Sequence, residues 1–95
     1  ARELARERGM RFIHSANEPH LIAGVATCAL EMLQAQPDLD FIVTAVGLGS
    51  GAAGTCLVAK QLAPRLRVIG VQAAASPAVH DSWRSGRIER RANQT

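Results

Sequence analysis

Apolar residues recur along this chain at two different spacings. From about His20 to Gln36, the positions Ile22, Val25, Ala26, Ala29, Met32 and Leu33 repeat at the interval of one helix face. Pro19 ahead of them suits a helix's first turn, and Pro37-Asp38 stops it. Phe41 to Val46 is different: an apolar run of strand length, as expected of a strand covered on both faces. A second helix is predicted over Ala52 to Ala63, with Leu57, Val58 and Leu62 as its larger apolar residues and Pro64 as its stop. Leu66 to Val71 reads as another buried strand, and Pro77 to Arg84 as a short helix ended near Gly86. Near the start, residues 3–8 are charged and helix-friendly up to Gly9, and Arg11 to His14 reads as a short strand.

The predicted order after the leading helix is β-α-β-α-β-α with short connections. That order implies an α/β fold, three-layered and Rossmann-like, with a parallel sheet, right-handed crossovers and ligands at the carboxyl ends of the strands. Three strands leave two open sheet edges, and the end at Arg90 to Thr95 shows no clear closing element. The expectation is a single, partial domain over residues 1–95, a piece of something longer. Gly24 interrupts an otherwise helical pattern at a cost in stability, which suggests close packing of α-helix backbone against a neighbour there.

Between the second predicted strand and its helix lies Val46-Gly47-Leu48-Gly49-Ser50-Gly51-Ala52-Ala53-Gly54. A strand, a glycine loop and a helix in sequence aim unpaired backbone N–H groups and the positive end of a helix dipole at one point, which suits an anion. The bulk composition permits this and excludes other classes. With 47% apolar and 20% charged residues, the chain is an ordinary globular one. Its net charge of +3 comes largely from arginines near the two ends. Without interleaved aromatics or a basic stripe through the middle, it does not describe a nucleic-acid surface. No run approaches the length of a membrane span, and nothing at the start reads as a signal peptide. Cys28 and Cys56 form no CxxC pair and are expected as buried free thiols of a reducing cytoplasm. His14, His20 and His80 have no metal-ligand spacing. His14, ending the first predicted strand, falls near the cleft. His80 and Asp81 are adjacent on a helix and are expected to face different directions.

Gly49 to Gly54 satisfies G-x-G-x-x-G, the pattern of a dinucleotide loop. That reading needs an acidic residue at the end of the next strand to hold a ribose, and Gln72-Ala73 stands there instead. No G-K-[ST] follows, which disfavours a nucleoside triphosphate. What remains is a phosphate held without a recognised ribose, or a non-catalytic Rossmann-like module that binds a nucleotide or partner through the same loop.

Longer stretches carry a resemblance. His14-Ser15-Ala16-Asn17-Glu18-Pro19-His20-Leu21-Ile22-Ala23-Gly24-Val25-Ala26-Thr27 resembles the H-P-x-x-[DE]-P-x-[VI]-I-A-G-x-G-T segment of threonine dehydratases and serine racemases. Ala29-Leu30-Glu31 is similar to the A-L-E that follows. Val46 to Gly54 is similar to their V-G-G-G-G-[LM]-x-A-G loop, and Val68-Ile69-Gly70-Val71-Gln72 to their V-I-G-V-E strand. In register from about Phe12 to Ile88, the resemblance is to the fold type II pyridoxal-phosphate enzymes, in their threonine/serine dehydratase branch.

The resemblance implies that Gly47, Leu48, Gly49, Ser50 and Gly51 bind the 5′-phosphate of pyridoxal phosphate, Ser50 adding a hydroxyl. It implies an amino-acid substrate and an ammonia-lyase reaction that turns a hydroxyamino acid into a 2-oxo acid. It also implies a cytoplasmic homo-oligomer, dimer or tetramer, with the remainder of the polypeptide completing the site. The departures are specific. The family's Schiff-base lysine belongs to an S-F-K motif not found here, and the sole lysine, Lys60, falls mid-helix about three turns beyond the loop. No catalytic residue is therefore expected in this chain. Leu48 replaces a loop glycine and restricts the backbone. Gln72 replaces a frequent glutamate, and Ala78 offers no side-chain oxygen, so no metal site is expected either.

Overall fold

The computed structural model describes residues 1–92. It is an α/β arrangement in the order α1 (Arg2–Glu7), α2 (Pro19–Ala35), β1 (Phe41–Ala45), α3 (Ser50–Leu62), β2 (Arg67–Val71) and α4 (Ala78–Ser85). The two strands pair in parallel, with Phe41 opposite Arg67 and Ala45 opposite Val71. Each long helix runs within two residues of its predicted span. The proline at the first turn of α2 and the left-handed Gly86 after α4 mark the ends as their chemistry requires.

The predicted first strand is corrected. Arg11 to His14 takes no place in the sheet, which holds β1 and β2 alone among the described residues. An extended segment becomes a strand only when a neighbour accepts and donates its backbone hydrogen bonds. Phe12 instead lies under the Arg2 guanidinium, 4.9 Å from the ring centroid, and meets the His14 ring edge-on at 6.5 Å.

Helix α3 lies across both strands, and α2 packs along α3. Leu33 of α2, Ile42 of β1, Ala59 of α3 and Leu66 form the buried cluster between these elements. The alternation of the strands puts Ile42 and Val68 inward and Phe41, Val43, Ile69 and Val71 on the opposite face. The strands are thus covered on one face only among the described residues, where cover on both was expected. The outer four side chains are each 43% to 56% exposed.

The glycine that brings the helices together is also not the one expected. Gly24 is exposed, and a Cβ there would meet nothing. Gly54 of α3 is buried, and a Cβ there would stand 3.0 Å from the backbone N and Cα of Ala26 and the carbonyl oxygen of Ile22. Both glycines interrupt helices, but only the crossing geometry of α2 and α3 decides which one touches. The cysteines are corrected as well: Cys28 is exposed on α2, and Cys56 is partly exposed on α3.

Candidate functional site

The β1–α3 connection builds the site. After Ala45 the chain leaves the sheet with one last bond, from the Val46 N–H to the Val71 carbonyl (2.8 Å). It turns at Gly49, whose φ of +104° lies in the left-handed region that a side chain would strain. Gly49 is the N-cap of α3, and its carbonyl accepts the first helical bond, from Ala53 N–H at 2.9 Å. The helix begins at Ser50, two residues earlier than predicted, so Ser50, Gly51 and Ala52 form its first turn.

The consequence is a row of unused donors. Among the described residues, no backbone or side-chain acceptor takes the N–H groups of Gly47, Leu48, Gly49, Ser50, Gly51 or Ala52. Among the described residues no side chain caps α3, and its first turn holds no acidic residue, so the positive end of its dipole has no local compensation there. Among the described residues, a Cβ built at Gly47, Gly49 or Gly51 would meet nothing within 4 Å. An anion can therefore approach the backbone directly, and the donors present fit a phosphate. Leu48 does not spoil this arrangement. The turn needs a positive φ at Gly49 alone, and the Leu48 side chain stands 71% exposed.

In front of the loop is a pocket of about 300 Å³ lined by His14, Ala16, Asn17, Ile22, Leu48, Gly49, Ser50 and Ala53. That volume is at the lower end of small-molecule sites, which run from about 300 to 1,000 Å³. The structure thus brings the resemblance segment that begins at His14 against the glycine loop. The His14 Nδ1 accepts the N–H groups of Ala16 (3.0 Å) and Asn17 (2.8 Å) and so holds the turn that leads into α2. Nearby, the Arg11 guanidinium meets the largely buried Glu18 carboxylate at 2.8 Å, which neutralises the acidic N-cap of α2.

The other sequence-selected residues lie elsewhere. Lys60 is exposed in the last turn of α3, at the far end of the helix, beside a second pocket of about 220 Å³ shared with Cys56, Pro64 and Leu66. Gln72 is engaged: its Oε1 accepts the His80 N–H at 3.0 Å and caps the first turn of α4. His80 and Asp81 do meet, contrary to expectation, with Nδ1 and Oδ1 3.1 Å apart. Adjacent Cβ atoms diverge around a helix, but a ring and a carboxylate at an exposed helix start can swing together, and Arg91 fixes the other Asp81 oxygen at 2.8 Å. The His80 bond, foremost, and Arg91 hold the Asp81 carboxyl below its ordinary value. Neither group lines the pocket in front of the loop. Sequence reasoning placed His14 near the cleft but missed its two backbone partners. A histidine two and three residues before small or polar residues was the available signal.

Three comparisons bear on this geometry. A family model described as "Pyridoxal-phosphate dependent enzyme" matches residues 1–95. The chain is 38% identical over 90 residues to the L-threonine ammonia-lyase of Thermotoga maritima, covering 95% of this chain and 22% of that protein. In three dimensions it is similar to the processed threonine deaminase isoform 2 of Solanum lycopersicum (TM-score 0.94, 27% identity, 100% of this chain and 28% of that one). It is likewise similar to maize serine racemase (TM-score 0.93, 26% identity, 99% of this chain and 30% of that one). The chain thus spans between a fifth and a third of the length of these relatives.

Proposed function

From the premise that this chain belongs to the pyridoxal-phosphate dependent enzymes, a family of fold type II with pyridoxal 5′-phosphate as cofactor, we propose that it forms the phosphate cup of a threonine/serine dehydratase-type ammonia-lyase. The observation that carries this reading is the run of six N–H groups from Gly47 to Ala52, without partners among the described residues, at the start of an uncapped α3. The backbone of Gly47, Leu48, Gly49, Ser50 and Gly51 would hold the phosphate, and the Ser50 hydroxyl, which has no partner among the described residues, would add a donor.

When bound, the cofactor supplies an electron sink for breaking bonds at the substrate's α-carbon. The overall reaction removes water across the Cα–Cβ bond of L-threonine or L-serine, and hydrolysis then releases ammonia and leaves a 2-oxo acid. This chain's part is to fix the cofactor's tail with backbone dipoles that need no rearrangement. Lys60 takes no part, because it is exposed at the other end of α3 from the loop. The lysine that anchors the cofactor and the catalytic groups would come from the remainder of the polypeptide. That remainder would also cover the apolar outer face of the sheet, so that residues 1–95 are one part of a larger cofactor-binding domain. The whole enzyme is read as a cytoplasmic homo-oligomer, dimer or tetramer. The threonine and serine relatives support a hydroxyamino acid as substrate. Among the described residues no helix is long and apolar enough to cross a membrane.

The test is cofactor loading of the intact enzyme. Added pyridoxal phosphate should produce an absorbance band near the visible edge that borohydride removes. Gly49→Asp should abolish loading, because it forces a side chain and a negative charge onto a left-handed position facing the phosphate. Unchanged affinity in that variant would refute the cup.

A further inference from the structure

We propose that His14 is a direct contact of the bound phosphate, a neutral imidazole whose Nε2–H donates to the anion seated on the glycine loop. The inference rests on the cup reading above and adds to it a side chain from a different part of the chain.

The tautomer follows from the hydrogen bonds. Nδ1 faces two backbone N–H donors, Ala16 at 3.0 Å and Asn17 at 2.8 Å. A nitrogen that accepts from both carries no hydrogen, so the neutral ring's proton is on Nε2, which can only donate. No acceptor within the described residues takes that proton. The ring cannot turn freely, because the two amides hold one edge and Phe12 packs against it at 6.5 Å and 76°. Phe12 is in turn pinned by the Arg2 guanidinium.

The ring and the loop share one space. His14 lines the same pocket of about 300 Å³ as Gly49 and Ser50, and the remaining wall is Ala16, Asn17, Ile22, Leu48 and Ala53. None of these carries a negative charge to compete for the donor. His14 is thus the one imidazole among the residues that line the space in front of the loop. Two backbone amides spent on a histidine acceptor would be an expensive way to hold a turn that Asn17 or Glu18 could cap locally. They have the further effect of fixing the ring's proton on Nε2.

The experiment separates the two ring nitrogens on the intact apoenzyme. In His14→Asn, the Oδ1 can replace Nδ1 as acceptor for Ala16 and Asn17, but no donor reaches the place of Nε2. In His14→Gln, a side-chain N–H reaches the place of Nε2. Binding of pyridoxal 5′-phosphate and of unphosphorylated pyridoxal is titrated by absorbance and fluorescence. The expected result is that His14→Asn weakens pyridoxal phosphate about tenfold, the worth of one hydrogen bond to a charged acceptor, and leaves pyridoxal unchanged. His14→Gln, which keeps the donor and gives up the acceptor at Nδ1, should bind pyridoxal phosphate about threefold or more tighter than His14→Leu, with pyridoxal equal in the two. Equal weakening of pyridoxal and pyridoxal phosphate in His14→Asn would overturn the contact with phosphate, as would wild-type affinity for both. If His14→Asn does not fold, a His14→Gln variant as weak as His14→Leu overturns the inference. Gly49→Asp is measured beside them. Loss there with wild-type affinity in His14→Asn removes His14 and keeps the cup; no loss in Gly49→Asp removes the cup itself.

Discussion

Replacing Gly54 by alanine tests how the two helices that carry the site are held together. Gly54 sits inside α3, where alanine is intrinsically favoured over glycine by about 0.8–1 kcal/mol. Against that gain stands the contact: the new methyl would lie 3.0 Å from Ala26 N, Ala26 Cα and the Ile22 carbonyl oxygen. All three are backbone atoms, so no side-chain rotation can relieve them. Comfortable separations between such atoms are about 3.5–4.0 Å, which requires α2 and α3 to part by about half an ångström. Overpacking of that kind costs about 1–3 kcal/mol, so the net expectation is a loss of about 1 kcal/mol. Gly24→Ala is the internal control. It lies mid-helix in α2 with nothing near its Cβ, and it should gain about 0.5–1 kcal/mol. The same chemical change should therefore move the urea midpoint of the intact enzyme in opposite directions at two positions, with the m-value unchanged. Because α3 begins at the glycine loop, Gly54→Ala should also weaken pyridoxal phosphate binding, whereas Gly24→Ala should not. If Gly54→Ala stabilised as much as Gly24→Ala, the close crossing of α2 and α3 would be wrong.

Three further outcomes are expected. Gln72→Leu removes the acceptor for the His80 N–H and should cost about 1 kcal/mol of local stability, the worth of a helix cap; faster amide exchange confined to the start of α4 would show it, and unchanged exchange would deny the cap. Ile42→Ala empties part of the buried cluster with Leu33, Ala59 and Leu66 and should destabilise by about 2–5 kcal/mol, read from chemical denaturation. Asp81 and Glu89 are both held below their ordinary values of 3.8 and 4.5, Asp81 first by its bond to His80 and Glu89 first by its bond to Arg87. Carboxylates lowered in the folded state stabilise it above the ordinary values, and that contribution is lost as pH falls through the lowered ones. The contacts joining α4 to residues 87–91 should thus hold down to about pH 4.5 and loosen below it, followed by amide protection at Glu89, with Asp81→Asn reproducing part of the loss at neutral pH.

The glycine turn ahead of α3 was more legible in the sequence than its surroundings were. A glycine loop between a strand and a helix is a local device, and residues 46–54 carry its glycines and its missing acid in one short stretch. Gln72 could be read as unsuited to a ribose from its identity, but its work as a cap on α4 depends on a residue eight positions away. Leu48 looked like a flaw in the loop because glycine is usual there. The backbone takes its positive φ at its neighbour, Gly49, and not at Leu48.

What the sequence by itself determined is whatever a short span of chain can enforce: the spans of α2, α3 and α4 from apolar period and prolines, the parallel β-α-β order, and a glycine turn at the start of α3. These depend on dihedral preferences and on neighbours within a turn or two. The tertiary structure alone decided the rest. Arg11 to His14 has a strand's composition but no partner to make it one among the described residues. Gly24 and Gly54 are equivalent as sequence, and only the crossing of two helices singles out Gly54. His14 lines one pocket with Leu48, Gly49 and Ser50, more than thirty residues away. Pairing, crossing and convergence are relations between segments distant in the chain, and no local preference encodes them.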